Sequence, residues 1–193
     1  MTEPLTIDPK TSALLVMDYQ IAIVEGFADD KDALLQRMAG LIDVARTAGM
    51  MVLYVVVGFR EGYPEVSPKN MSFSAVKAAG RLAAGSPDGG IHPAVAPKAG
   101  EVVVTKHRVG AFLGTDLDMV LRANGIETMV LAGIATSGVV LSTLRHAADA
   151  DYRLVVVRDC CSDRDAEVHR VLLDKVFPRQ SMVVTAEDLR NAL

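Results

Sequence analysis

The stretch Ala13-Leu14-Leu15-Val16-Met17-Asp18 decides the fold class, because a continuously apolar run ends directly on a carboxylate. A strand without polar alternation is typical of a parallel sheet that is covered on both faces. Similar runs follow at residues 51–57, 101–105, 128–132, 154–157 and 182–184, and helical spacing separates them at residues 30–48, 115–123, 137–150 and 165–176. We therefore predict an α/β protein with a three-layer, doubly wound, Rossmann-like parallel sheet of six strands.

Composition excludes several classes of protein. The 193 residues fit one domain, which we place at residues 1–193. A net charge of −4 without runs of Lys or Arg argues against nucleic-acid binding. No apolar run reaches the ~18 residues of a membrane span, and the polar residues 1–10 lack the pattern of a signal peptide. Because the adjacent Cys160 and Cys161 are unsuited to a disulfide, we expect a cytoplasmic protein.

Residues 58–100 interrupt the alternation of strands and helices. The segment is rich in Gly, Pro and Ser and has only a weak helical pattern at residues 73–84. We interpret it as an excursion that partly covers the functional site or builds a contact between subunits.

Three pieces of sequence come directly after predicted strands. Ligands of open parallel sheets bind beyond the carboxyl ends of the strands, where Asp18, Lys106 and the turn at residues 133–140 are expected. Gly133 permits a tight turn, and Thr136 or Ser137 can cap the following helix. The first amides of that helix suit a carboxylate or a developing oxyanion.

Each of these residues also has a structural interpretation. Asp18 can serve as a turn residue or helix cap, and a lysine at a strand end commonly reaches into solvent. If Asp18 and Lys106 meet, the ammonium favours the charged carboxylate, whereas burial favours the neutral acid. The sequence leaves open whether Asp18 acts as an acid or as a base.

Together these pieces resemble the isochorismatase-like hydrolases, also called the cysteine hydrolase family. The opening strand with Asp18-Tyr19-Gln20, the segment Val104-Thr105-Lys106 with Phe112, and Gly133-Ile134-Ala135-Thr136 carry the resemblance in the family's order. The resemblance implies the strand order 3-2-1-4-5-6 and a peptide bond near Ile134–Ala135 that is often cis. It also implies that Asp18 and Lys106 are catalytic.

The resemblance implies further contacts with substrate. An oxyanion or substrate site is expected from residues of the turn, from the first and second motifs, and from an arginine after the second strand: Gln20, Arg60, Phe112, Ile134, Ala135, Thr136, Ser137 and Val139. Arg60 or Arg108 can hold a substrate carboxylate through a planar fork, although each arginine can equally be a solvated surface charge.

Val139 departs from the family pattern. Most members place the nucleophilic cysteine three residues after the turn threonine, which is Thr136 here, and valine cannot attack a carbonyl group. The true isochorismatases also lack this cysteine. In them the aspartate protonates a vinyl-ether carbon, and water captures the resulting cation. We therefore predict a hydrolase of a small carboxylate or vinyl-ether substrate that uses Asp18 and Lys106 without a thiol.

Other readings stay open. A homologue that binds a small molecule or partner without catalysis, or an amidase with a different nucleophile, also fits Val139. Cys160 and Cys161 are better interpreted as buried structural thiols and Ser137 as a helix cap, because no histidine is placed to activate it. Residues 58–70 contain neither Asp nor His, so we expect no zinc and no cofactor. Homo-oligomerisation, as a homodimer or larger, is expected from the resemblance.

Overall fold

The computed structural model describes residues 5–28 and 30–193. Their six strands are β1 (Ser12–Met17), β2 (Met51–Val57), β3 (Val102–Lys106), β4 (Thr128–Ile134), β5 (Arg153–Ser162) and β6 (Met182–Val184). All neighbouring strands run parallel, in the order β3-β2-β1-β4-β5-β6. The predicted fold class and strand order are confirmed. The prediction of one domain over residues 1–193 includes residues 1–4 and 29, which lie outside the described residues.

Helices cover both faces of the sheet. They are α1 (Ile21–Phe27), α2 (Lys31–Thr47), α3 (Met71–Ala78), α4 (Leu117–Ala123), α5 (Leu141–Asp149), α6 (Ala166–Val171) and α7 (Ala186–Ala192). A π-helical turn, Thr136–Val140, leads into α5, and another, Leu172–Val176, extends α6. Short 3-10 turns lie at Pro9–Thr11, Pro87–Gly89, Pro93–Val95 and Phe177–Arg179.

The central strand shows why the sequence is continuously apolar. Leu14 and Val16 pack into the core on the side of α2 and α7, whereas Leu15 and Met17 pack into the core on the side of α4 and α5. Because both faces of β1 are buried, every position needs an apolar side chain. The strand therefore delivers Asp18 to the middle of the sheet's carboxyl edge.

Several elements differ from the sequence-based prediction, which also included no helix at the position of α1. Strand β5 continues to Ser162 rather than ending at residue 157, because its pairing with β4 shifts register between Leu131 and Gly133. Helix α7 was not predicted, although Thr185 and Asp188 form a reciprocal capping box at its start.

The excursion at residues 58–100 has a small core of its own. Phe59 packs against Phe73 and Tyr63, with ring centroids 5.2 and 5.6 Å apart. These rings join Ala22 of α1 and Val57 of β2 in one apolar cluster. The excursion is thereby fixed beside the carboxyl ends of β1 and β2.

Candidate functional site

Asp18 lies immediately after β1 in a left-handed backbone conformation, with φ of 58°. Its amide donates a hydrogen bond of 2.8 Å to the carbonyl of Val55 on β2. Only 5% of the residue is exposed. A buried carboxylate is unfavourable unless it is paired or neutralised, so its partner decides what it can do.

That partner is Lys106, the last residue of β3. Its Nζ lies 2.9 Å from Oδ2 of Asp18 and donates a second hydrogen bond of 3.2 Å to the carbonyl of Arg108. Lys106 is 2% exposed and points to the same face as Val104, reaching past the end of β2. The two side chains that the sequence placed on separate strands form one buried ion pair.

The second carboxyl oxygen of Asp18 has no such partner. Oδ1 is buried and accepts no hydrogen bond from any residue in 5–28 and 30–193. Burial raises the pKa of Asp18, and the neighbouring Lys106 offsets only part of that rise. A carboxyl group held at Oδ2 and open at Oδ1 can keep a proton on Oδ1 and pass it to a bound molecule.

The turn after β4 lies against this pair. A Cβ at Gly133 would come 2.9 Å from both the Cβ and the carbonyl oxygen of Met17, so only glycine fits there. The peptide bond between Ile134 and Ala135 is cis, as the resemblance implied. Val139 is buried and faces the same cavity as Asp18 and Lys106.

Polar groups of the turn are already engaged. The amide of Ser137 donates a 2.7 Å hydrogen bond to Oδ2 of Asp163. Thr136 is fully buried; its Oγ1 donates to the carbonyl of Ser162 at 3.2 Å and lies 2.8 Å from Nδ1 of His169. The Ser137 amide therefore faces a carboxylate of the protein rather than an open anion site, and Thr136 supports the turn from behind.

A cleft of about 390 Å³ connects these groups. Asp18 and Lys106 form its polar floor, and Ser72, Ser137, Arg81 and Arg164 add polar side chains. The remaining side chains that line it are apolar: Ala22, Ile23, Phe27, Val57, Phe73, Val76, Leu82, Val109, Ile134, Ala135 and Val139. The excursion contributes five of the lining residues, Ser72, Phe73, Val76, Arg81 and Leu82, and so covers part of the site.

Besides Thr136, three further expected substrate contacts lie outside this cleft. Gln20 is fully buried, where its Nε2 donates to the carbonyls of Val57 and Gly89 and its Oε1 accepts from the amide of Val57. Arg60 has a 72% exposed side chain and pairs with Glu65 at 2.6 Å. Phe112 stacks on His146, with ring centroids 4.3 Å apart. Gln20 therefore joins the backbone of β2 to that of the excursion. Arg60 pairs with Glu65 at the surface and Phe112 packs on His146, so neither side chain reaches the cleft.

Arg108 is also placed elsewhere. Its Nη1 donates to the carbonyls of His107 and Glu65, which turns the side chain away from the cleft. Only the backbone carbonyl of Arg108 reaches the site, through Lys106.

Arg81 and Arg164 are the guanidinium groups that line the cleft, and the sequence did not indicate either. Arg81 donates to the carbonyl of Ala22, and Nε of Arg164 donates to the carbonyl of Gly26 while its guanidinium lies 4.1 Å from the centroid of the Phe27 ring. Arg164 was overlooked because β5 was predicted to end too early. Arg81 lies in the excursion, where no strand end marks a site.

The two cysteines lie outside the site. Burial raises the pKa of the Cys161 thiol to about 12 and that of Cys160 further, and neither cysteine lines the cleft. Within residues 5–28 and 30–193, no three His, Cys, Asp or Glu side chains are grouped so that they can hold a metal ion. None of the helices in this part of the chain is long and apolar enough to cross a membrane.

Comparisons with known proteins agree with this fold. The family model of the isochorismatase domain matches residues 12–188. Maleamate amidohydrolase of Pseudomonas putida is 30% identical, over 94% of this chain and 86% of that protein. Ureidoacrylate amidohydrolase of Methylobacterium radiotolerans is 33% identical, over 90% of this chain and 76% of that protein.

A solved structure shows the same architecture. The isochorismatase family protein of Burkholderia thailandensis superposes with a TM-score of 0.80 at 32% identity, covering 97% of each chain. The family model and the amidohydrolase relatives indicate a hydrolase. The chain belongs to the isochorismatase family.

Proposed function

We propose that the protein hydrolyses a small carboxylate substrate, of the vinyl-ether type, through Asp18 and Lys106 and without a cysteine nucleophile. One observation carries this proposal: the buried ion pair leaves Oδ1 of Asp18 without a partner on the floor of the cleft. Because burial raises the pKa of Asp18, the protonated form persists to higher pH than in an exposed aspartate. Turnover that needs this acid falls as the pH rises through that raised pKa.

The reaction requires one proton donor and one water molecule. Asp18 donates its proton from Oδ1 to the terminal carbon of the vinyl ether, which forms a C–H bond and leaves an oxocarbenium ion. Water adds to that cation and returns a proton to Asp18. The hydroxyl proton of the resulting hemiketal is then transferred to the former ether oxygen as the bond between carbon and that oxygen breaks, which releases a ketone and an alcohol. Lys106 holds Oδ2 throughout and stabilises the carboxylate that forms during the first step.

The side chains around Asp18 support a route without a thiol. We infer that Val139 occupies the position of the family's nucleophile, three residues after Thr136. Val139 is packed against Gly133, with its Cγ1 3.3 Å from the site of a Cβ there. Cys160 and Cys161 are buried, and their raised pKa values disfavour the reactive thiolate.

The arginines of the cleft supply recognition of an anion. No ion pair engages Arg81 or Arg164 among the residues that the structure describes. Both guanidinium groups are anchored on α1, at carbonyls one helical turn apart. Maleamate and ureidoacrylate, for which the two relatives are named, are carboxylates. We assign the substrate carboxylate to this pair rather than to Arg60.

Replacing Arg164 by glutamine tests that assignment. We expect Arg164→Gln to raise KM roughly 10- to 100-fold with little change in kcat, because a charge-assisted hydrogen bond is lost equally from substrate and transition state. Arg60→Gln is the matched control and should leave both constants unchanged, since Arg60 is exposed and outside the cleft. A larger rise in KM for Arg60→Gln than for Arg164→Gln would indicate that Arg60 binds the substrate carboxylate.

A substrate screen tests the proposed function itself. Purified protein is incubated with isochorismate, simple enolpyruvyl ethers, amides and carbamates, while release of pyruvate and of ammonia is followed. Pyruvate from the vinyl ethers is the expected result. Ammonia release with a trapped covalent adduct would instead indicate an amidase with another nucleophile. Complete inactivity with tight binding of a carboxylate would support a binding protein, which the apolar Val139 also fits.

A further inference from the structure

Most of the side chains that line the cleft are apolar. Its charged side chains lie on the floor and on the α1 side, where Arg81 and Arg164 are anchored to the carbonyls of Ala22 and Gly26. Phe73 and Val76 of α3 and the neighbouring Leu82 form an apolar wall, which we call the excursion wall. The two polar side chains that the excursion adds to the cleft, Ser72 and Arg81, directly precede Phe73 and Leu82 in the chain.

The excursion wall is held in place by packing. Phe73 and Leu82 are buried and share a cluster with Phe59, whose ring centroid lies 5.2 Å from that of Phe73. The amide of Phe59 also donates to the carbonyl of Leu82 at 3.0 Å. A wall fixed in this way is preformed, so it does not have to be ordered when a ligand binds.

Val139 and Ile134 extend the apolar surface to the turn after β4. Both are buried, and neither side chain carries a polar atom that can hydrogen-bond a ligand. A polar group placed between this surface and the excursion wall would lose its hydration without gaining a partner, whereas an apolar group would gain from leaving water. The volume of about 390 Å³ leaves room for such a group beside the reacting atoms.

We propose that the excursion wall is a specificity subsite for the apolar body of the substrate, so that the protein selects carboxylates that carry an alkyl, alkenyl or aryl body over compact polar ones. The carboxylate lies at Arg81 and Arg164, and the body lies against Phe73, Val76 and Leu82. This inference rests on the proposed function for the position of the reacting bond, but binding of the body does not require Asp18 to react.

A chain-length series tests the subsite by binding alone. Affinities of acetate, butanoate, hexanoate and octanoate are measured calorimetrically on the full chain. We expect affinity to rise about three- to fourfold for each methylene that the wall covers, which corresponds to about 0.8 kcal/mol per buried CH₂. Equal affinity for all four acids, or binding of none, would overturn the proposal.

Two variants on one helix locate the effect. Val76→Thr keeps the shape of the side chain but adds a hydroxyl to the wall, and it should weaken octanoate binding severalfold while leaving acetate unchanged. Met71→Thr is the matched control, because Met71 is 89% exposed on the same helix and does not line the cleft. If Val76→Thr weakens the binding of acetate and of octanoate equally, Val76 affects the whole site rather than the binding of the ligand's apolar body.

The subsite and the proposed function fail separately. Asp18→Asn should keep the dependence on chain length while losing turnover. If affinity rises with chain length but Asp18→Asn still turns over substrate, the subsite is supported and Asp18 is not part of the reaction. No chain-length gain, together with loss of turnover in Asp18→Asn, would remove the subsite and support Asp18.

Discussion

Asp18→Asn lowers kcat by roughly 10²–10⁴-fold, the range over which a positioned general acid or base contributes. The amide keeps the size of the carboxyl group but has no acidic proton to give to the substrate from the position of Oδ1. The proposed contacts of the substrate carboxylate with Arg81 and Arg164 are unchanged in this variant, so KM should change much less than kcat. The measurement is steady-state turnover of whichever substrate the screen finds.

Folding has to be separated from chemistry in this variant. Asp18→Asn leaves the ammonium of Lys106 buried without its partner, and breaking a buried ion pair destabilises a protein by roughly 3–5 kcal/mol. The double variant Asp18→Asn with Lys106→Met removes both charges and should recover much of the lost stability, but not the activity. A folded single or double variant that keeps a tenth of the wild-type kcat would contradict the role of Asp18.

Lys106→Met is expected to lower the free energy of unfolding by roughly 3–5 kcal/mol at neutral pH. The methionine fills the space of the lysine stem, but Asp18 is left as a buried carboxylate without a positive neighbour. Because Lys106 is what lowers the pKa of Asp18, its loss raises that pKa further above the value in the unfolded chain. Urea unfolding followed by circular dichroism measures the change.

The pH dependence of that loss has a definite sign. In Lys106→Met the pKa of Asp18 is higher in the folded state than in the unfolded state. Between these two pKa values the folded state binds a proton that the unfolded state has released. The variant therefore gains stability as the pH falls through the folded-state pKa. The deficit relative to wild type is therefore largest at neutral pH and shrinks in mild acid. Lys31→Met is the control, because Lys31 pairs with Glu25 at the surface and its loss should leave the urea midpoint unchanged. A deficit that grows in acid would contradict the buried pair.

The sheet and the ion pair were predictable because burial leaves a direct trace in sequence. Strands covered on both faces must be apolar at every position, as residues 13–17 and 128–132 are. Since parallel strands meet at one carboxyl edge, Asp18 after β1 and Lys106 at the end of β3 were expected to converge. The cis peptide bond at Ile134–Ala135 followed from the family resemblance and not from any pattern of its own.

The walls of the cleft were not predictable, because they depend on where chain segments return in space. Arg60 follows β2 directly, yet its ion pair with Glu65 turns it outward, whereas Arg81 returns to the site from the excursion. The side-chain amide of Gln20 can bind either a substrate or the protein backbone, and the sequence does not distinguish these roles. Only the positions of the Val57 and Gly89 carbonyls in the fold show that it binds backbone.

Homo-oligomerisation stays a prediction.

A cysteine introduced at position 139 provides a reactive thiol with which the reactivity of Cys160 and Cys161 can be compared. Val139→Cys places a sulfur atom in the cleft beside Lys106, whose positive charge lowers the pKa of a neighbouring thiol. We expect iodoacetamide to label this variant quickly at residue 139. In the wild type Cys160 and Cys161 should label slowly, because both are buried and their pKa values are raised.

Hydrolysis through Asp18 without a thiol is tested most directly by measuring wild-type turnover before and after exhaustive treatment with iodoacetamide. The expected result is an unchanged kcat, because no cysteine lines the cleft. Loss of turnover in proportion to the label on Cys160 or Cys161 of the folded protein would show that a thiol takes part, and would contradict catalysis by Asp18 and Lys106 alone.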